Sequence, residues 1–255
     1  MKKLLKTYLS SIILILGLAL FLTSCGLTSE AERIPIAIGQ VTTPLDMNKT
    51  TVRLGEAIVG NLICDATKSY ADNNSYTINF VLLNAGSFRF NETDQPDGIY
   101  PSGNFTDVML EEILPFGNAL SIVQVTGQEL KSVFEHAVSA MPDDKGYFMQ
   151  MSEGISITID SSKQAQELNV SENAVETAGE RIVSINIANN PYVATASYTF
   201  ATNSYIASGA DGFVTLPTAN ITTSSVLISD AVTWYFGEQT GAVTPVATGN
   251  RIILQ

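Results

Sequence analysis

A strongly apolar run over residues 78–83 breaks off at Asn84-Ala85-Gly86-Ser87-Phe88-Arg89, and this junction constrains the fold more than any other stretch. An apolar run of that length predicts a buried strand. A glycine-containing turn directly after it lets backbone approach a ligand closely, and an arginine there offers a planar fork suited to phosphate or carboxylate. A buried strand ending in a binding turn is therefore the first expectation.

The surrounding pattern mixes strands and helices. Residues 34–38 alternate as a strand does. Over 56–70, Ile58, Val59, Leu62, Ile63 and Ala66 recur at helical spacing. Residues 107–114 predict a short helix halted by Pro115. A strand over 120–125 runs into Thr126-Gly127-Gln128-Glu129, a capping box that opens a helix reaching about Ala140. Strands then follow at 148–151, 155–160, 181–187 and 198–202, with a final helix over 226–235 and a closing strand at 251–254. Residues 161–180, rich in Glu, Asn and Ser, read as an exposed loop. The mixture predicts an α+β (mixed α/β) fold in one domain over 33–255.

The start of the chain reads differently. Lys2, Lys3 and Lys6 precede an apolar run over 12–22, which predicts a secretory leader at 1–24. Leu22-Thr23-Ser24-Cys25-Gly26 is similar to a bacterial lipobox, making Cys25 the lipidated first residue of the mature chain and 25–32 a polar tether. The expected location is the bacterial cell envelope, lipid-anchored and extracytoplasmic, at the outer membrane or periplasm because no aspartate follows Cys25. After Cys25 nothing approaches the roughly 20 apolar residues of a membrane span.

Acidic side chains number 25 against 13 basic, giving a net charge of −12, and loss of the leader's lysines deepens it. That field repels nucleic-acid polymers and anionic membrane surfaces, whereas a small anion needs only one or two placed arginines. With Cys25 acylated, Cys64 is the remaining thiol, so no internal disulfide forms and the core supplies the stability. Cys64 beside Leu62 and Ile63 reads as a small buried hydrophobe, and His136, without a partner at i±4, reads as structural or surface rather than as a ligand. Glu111-Glu112 and Asp143-Asp144 read as solvated charge.

Several motifs occur in a fixed order: Arg53-Leu54-Gly55-Glu56, Asn84 to Arg89, Leu114-Pro115-Phe116-Gly117-Asn118, Thr126 to Leu130, Gly179 to Val183, and Asn203 to Phe213. With them the chain resembles the C-terminal, substrate-recognition domain of the 5′-nucleotidase family, which implies layered mixed sheets with packed helices. In that family a base is sandwiched between two aromatic rings, and the matching positions here hold Phe116 and Tyr205. The resemblance places Asn84 and Asn118 near base or ribose, Asp211 at the ribose hydroxyls, and Arg53 and Arg89 toward the phosphate. Tyr205 stands where the family has phenylalanine. Ala210 replaces the second glycine of a Gly-Gly-Asp-Gly turn, so strain is expected if that position takes φ > 0.

Hydrolysis in the full family belongs to an N-terminal metallophosphatase domain with a His-rich dimetal centre. One histidine cannot build that centre, so no catalytic residue, metal ligand or cofactor is assigned within these 255 residues. The resemblance implies a lipid-anchored nucleoside- or nucleotide-recognition domain in extracytoplasmic nucleotide catabolism, working with a separate metallophosphatase chain. The alternatives are a surface lipoprotein that keeps the fold without its pocket, and an autonomous hydrolase.

Overall fold

The computed structural model describes residues 33–255 except 170, 172, 173 and 217–219, so the expected leader, Cys25 and the tether lie outside the described residues. The chain runs β1 (Ala37–Val41), β2 (Leu45–Asp46), α1 (Lys49–Leu54), α2 (Ile58–Asn73), β3 (Phe80–Asn84), β4 (Ile99–Tyr100), β5 (Gly103–Thr106), α3 (Asp107–Ile113), β6 (Ala119–Thr126) and α4 (Gly127–Ala137). It continues through β7 (Met149–Met151), β8 (Ile155–Ile159), β9 (Glu167–Asn169), β10 (Ala174–Thr177), β11 (Ile182–Ile187), β12 (Asn190–Pro191), β13 (Ser197–Asn203), α5 (Ser204–Ala207), β14 (Ile221–Leu227), α6 (Ile228–Gly237) and β15 (Ile252–Leu254). Residues Pro35–Gln255 form one unit.

The apolar run becomes β3, whose five residues are all buried. It is internal to a five-stranded sheet of order β14-β6-β13-β3-β7. β3 runs parallel to β13, while β6 is antiparallel to β13 and β7 is antiparallel to β3. A second sheet, β12-β11-β8-β15, shows the half-buried pattern. Ile155, Ile157 and Ile159 face inward while Ser156 and Thr158 are half-buried between them. On β11 a bulge between Ile182 and Ser184 shifts that phase, so the inward residues are Ile182, Ile185 and Ile187. α2 covers β3 and β7, and α6 lies on α2 and β1. Phe236 on α6 stacks on Phe105 with centroids 4.7 Å apart, and Trp234 meets the edge of Tyr70 at 5.4 Å. The result is the expected α+β arrangement of mixed sheets and packed helices.

Three local expectations are corrected. α4 ends at Ala137 rather than near Ala140, because the Arg181 guanidinium donates to the carbonyls of Val138, Ser139 and Met141 and closes the last turn. The stretch 161–180 contains the antiparallel pair β9 and β10, too short to show alternation in sequence. The final helix begins at Ile228 rather than at 226, because 226 and 227 end β14, an edge strand of threonines and serines with no apolar stripe to announce it. No helix among the described residues is long and apolar enough to cross a membrane.

One buried and one half-buried polar side chain fix the segment that carries Arg53. Gln150 on β7 is wholly buried; its Nε2 donates to Val52 O at 2.8 Å and Gly55 O at 2.7 Å, and its Oε1 accepts from Ala57 N at 3.0 Å. Glu56 accepts from the backbone N–H groups of Gly249, Asn250, Arg251 and Ile252. Burial alone would raise the Glu56 pKa, but these bonds and one from Asn61 hold it below the ordinary value. Replacing Gln150 by leucine strands one N–H and two carbonyls away from water, so urea unfolding of Gln150→Leu is expected to show a loss of roughly 2–4 kcal/mol.

Candidate functional site

The sheet's topology brings four loops to one end. β3 and β13 are parallel and finish there at Asn84 and Asn203, while antiparallel β6 and β7 begin there, with Leu120 opposite Asn203 and Met149 opposite Asn84. The turn after β3, the Pro115–Asn118 loop before β6, the loop before β7 and the segment after β13 therefore converge. Between them lies a cleft of about 620 Å³, within the size range of small-molecule sites. All seven residues singled out from the sequence line it: Arg53, Asn84, Arg89, Phe116, Asn118, Tyr205 and Asp211.

At its base, Asn84, Ser87 and Asn203 form a buried network. Asn84 Oδ1 accepts a short bond from Ser87 Oγ and a 2.8 Å bond from Asn203 Nδ2, which also reaches Ser87 Oγ at 3.0 Å. Asn203 Oδ1 in turn caps α5 through Ile206 N at 2.9 Å. These bonds use Oδ1 of Asn84, so its amide nitrogen is the polar atom left for a ligand. The turn 85–87 is zipped to the loop before β7 by Ala85 N to Phe148 O and Gly86 N to Gly146 O, both 2.6 Å. A Cβ on residue 86 would stand 2.9 Å from Gly146 O, so only glycine permits this approach.

Phe116 projects from the loop before β6 and Tyr205 from α5, and they are 55% and 44% exposed, far too open for core rings. Ser204 Oγ accepts from Ala119 N, and Asn118 O accepts from Ile228 N, fixing the Phe116 loop to its neighbours. The Arg89 guanidinium lies over Phe116, 5.2 Å from the ring centre. A flat ligand on Phe116 therefore takes the opposite face or displaces Arg89. The Asn118 side chain makes no hydrogen bond among the described residues and is half-buried at the rim.

Charge in the cleft opposes that of the whole protein. Arg53, Arg89 and Lys145 line it with a single carboxylate, Asp211. Burial, then the neighbouring Arg53 charge, lower the Arg89 pKa, with Asp211 opposing them. Arg53 donates to Asp144 O at 3.2 Å, yet its Nε is buried without a partner. Neither arginine is paired with a carboxylate at salt-bridge distance among the described residues. Two crowded guanidinium groups with spare donors suit an oxyanion.

Asp211 sits in a left-handed turn, φ 55° and ψ 20°, between Gly209 and Gly212, both also left-handed. Ala210 is not left-handed, so the strain expected from losing a glycine there does not arise. Tyr205 Oη donates to Asp211 Oδ1 at 2.8 Å, which raises the tyrosine pKa. The hydroxyl added by the Phe-to-Tyr difference thus has its partner inside the site.

Sequence reasoning passed over Tyr147 and Lys145, and read His136 as structural or surface, which its burial supports. His136 is 6% exposed and its Nε2 donates to Asp211 O at 2.7 Å. Its ring stacks on Tyr147, a cleft-lining residue, with centroids 4.8 Å apart. Lys145 and Tyr147 follow the acidic pair at 143–144, and nothing local marks that loop as part of a site. Cys64 is fully buried on α2, and burial pushes its thiol pKa up, which removes it as a nucleophile. Among the described residues no group of three or more His, Cys, Asp or Glu is placed to hold a metal ion.

The family model described as 5′-nucleotidase, C-terminal domain, matches residues 37–218. A snake venom 5′-nucleotidase from Crotalus adamanteus is 28% identical over 155 residues, 59% of this chain and 23% of its own length. The 5′-nucleotidase of Bos taurus is 32% identical over 131 residues, 49% of this chain and 22% of its own. The crystal structure of a 5′-nucleotidase precursor from Thermus thermophilus superposes with a TM-score of 0.70 at 26% identity, covering 86% of this chain and 39% of that one. The chain thus spans 22–34% of the length of the first curated relatives it matches.

Burial depresses the His136 pKa, partly offset by Asp211. The unfolded chain takes up a proton below about pH 6.5 that the folded chain refuses, so the stability this neutral ring contributes is complete above that pH and is lost as pH falls below it. The loss is at most about 1.4 kcal/mol per pH unit. Urea unfolding at pH 7.5 and 5.5 should show a larger drop for wild type than for His136→Phe; equal drops would contradict the buried neutral ring.

Proposed function

The chain belongs to the family of 5′-nucleotidase C-terminal domains, and on that premise we propose that it recognises a nucleoside or nucleotide, with the base between Phe116 and Tyr205. One observation carries this reading: seven residues from four separate stretches share a single cleft whose two exposed rings come from a loop and a distant helix. Stacking on aromatic faces is worth about 1–3 kcal/mol per ring and accepts any base. The Asn84 and Asn118 amides supply edge contacts. Asp211 Oδ2 is the acceptor for sugar hydroxyls, because Tyr205 occupies Oδ1. Arg53 and Arg89 take the phosphate, and Lys145 adds a third positive charge at the mouth.

The described residues do not fit a dimetal centre, and the one histidine is spent on a backbone carbonyl. On this reading the family's metallophosphatase activity belongs to a separate chain and this chain contributes recognition. The basic and apolar start of the sequence with Cys25 supports a lipid anchor and an extracytoplasmic site of action in nucleotide catabolism. The reading of a fold kept without its pocket finds no support in Ala210, which tolerates its place in the turn.

Titration calorimetry with AMP and adenosine tests the proposal. Phe116→Ala is expected to weaken both ligands about 5- to 100-fold. Arg53→Ala should weaken AMP about tenfold or more while sparing adenosine. Absence of measurable binding of either ligand to the wild type would refute the recognition role.

A further inference from the structure

We infer that His136 is a positioning residue of this cleft, fixing the Asp211 turn so that the carboxylate meets the ligand's sugar hydroxyls. The inference rests on the nucleoside reading above. Asp211 is a non-glycine residue in the left-handed region, a conformation that persists only where surroundings over-determine it. Its flanking glycines, 209 and 212, leave the turn free to take other shapes. Two side chains remove that freedom. Tyr205 holds the carboxylate through Oδ1, and His136 holds the backbone through the carbonyl, 2.7 Å from Nε2.

His136 is itself held on several sides. Tyr147 stacks on it at 27° between planes, Phe213 meets its edge at 87°, and a Cβ on residue 212 would come within 2.9 Å of its Cε1. It rides on α4, whose start is fixed by the Thr126–Glu129 capping box and whose end is closed by Arg181. A carbonyl only accepts, so Nε2 carries the proton, and Nδ1 is buried without a partner. The neutral Nε2–H tautomer satisfies this arrangement, whereas any proton on Nδ1 would leave a buried donor unpaired. Fixing the carbonyl fixes the peptide plane from which the Asp211 side chain departs. The helix thus sets the carboxylate's position without touching the ligand.

Calorimetry with adenosine and 2′,3′-dideoxyadenosine separates positioning from general support, because only the first has the hydroxyls that Asp211 meets. Wild type should prefer adenosine by about tenfold or more. His136→Phe keeps a ring but no donor; its preference should fall toward unity while dideoxyadenosine binding stays within about twofold. His136→Gln, whose amide nitrogen reaches the same carbonyl, should recover most of the preference. An unchanged preference in His136→Phe, or equal loss of both ligands, overturns the inference. Should that variant not fold, nitrogen-15 spectra of the wild-type imidazole decide, unambiguously because the sequence has one histidine. The Nε2–H tautomer, with a shift on adenosine but not on dideoxyadenosine, is expected; the Nδ1–H tautomer or an adenosine-insensitive ring overturns it. Failure of the wild type to bind adenosine overturns the nucleoside reading and this inference with it, whereas retained binding with an unchanged preference overturns this one alone.

Discussion

The hydrogen bonds among Asn84, Ser87 and Asn203 are what the rest of the site depends on. They join the ends of two parallel strands whose following segments, one the turn bearing Arg89 and the other α5 with the Asp211 turn, line the same cleft. All three residues are buried, and a buried polar cluster holds one geometry only when each member is satisfied. Asn203 extends the network into α5 by capping it, so the position of Tyr205 on that helix follows from the same cluster. The cleft is thus shaped by its floor rather than by its rim.

Electrostatics adds a second layer. The protein carries a net charge of −12, yet the cleft concentrates three cations around one carboxylate. Long-range repulsion of polyanions and local attraction of a small anion coexist, because screening confines each cleft charge to its own neighbourhood. The cation over Phe116 links the two functions, since the group suited to an oxyanion also covers an aromatic face.

Most of the fold was legible because its elements carry strong local signals. The run at 78–83, the repeat of Ile58, Leu62, Ile63 and Ala66, and the Thr126–Glu129 box each specify an element through nearest-neighbour chemistry. β14 and the β9–β10 pair escaped notice because edge strands with polar faces bury little and leave no apolar period. The end of α4 was misplaced because its stop signal, Arg181, lies more than 40 residues away in sequence.

The sequence by itself determined which side chains are available: two guanidinium groups, two amides, two rings and a carboxylate, each beside a turn or a helix stop. Tertiary structure alone decided that Lys145 and Tyr147 join them, that Tyr205 is bonded to Asp211, and that His136 lies behind the same turn. The physical reason is separation along the chain. Turn chemistry and periodicity act over a few residues, whereas the pairing of β3 with β13 and β7 joins positions more than 60 residues apart, and only strand register fixes which loops meet.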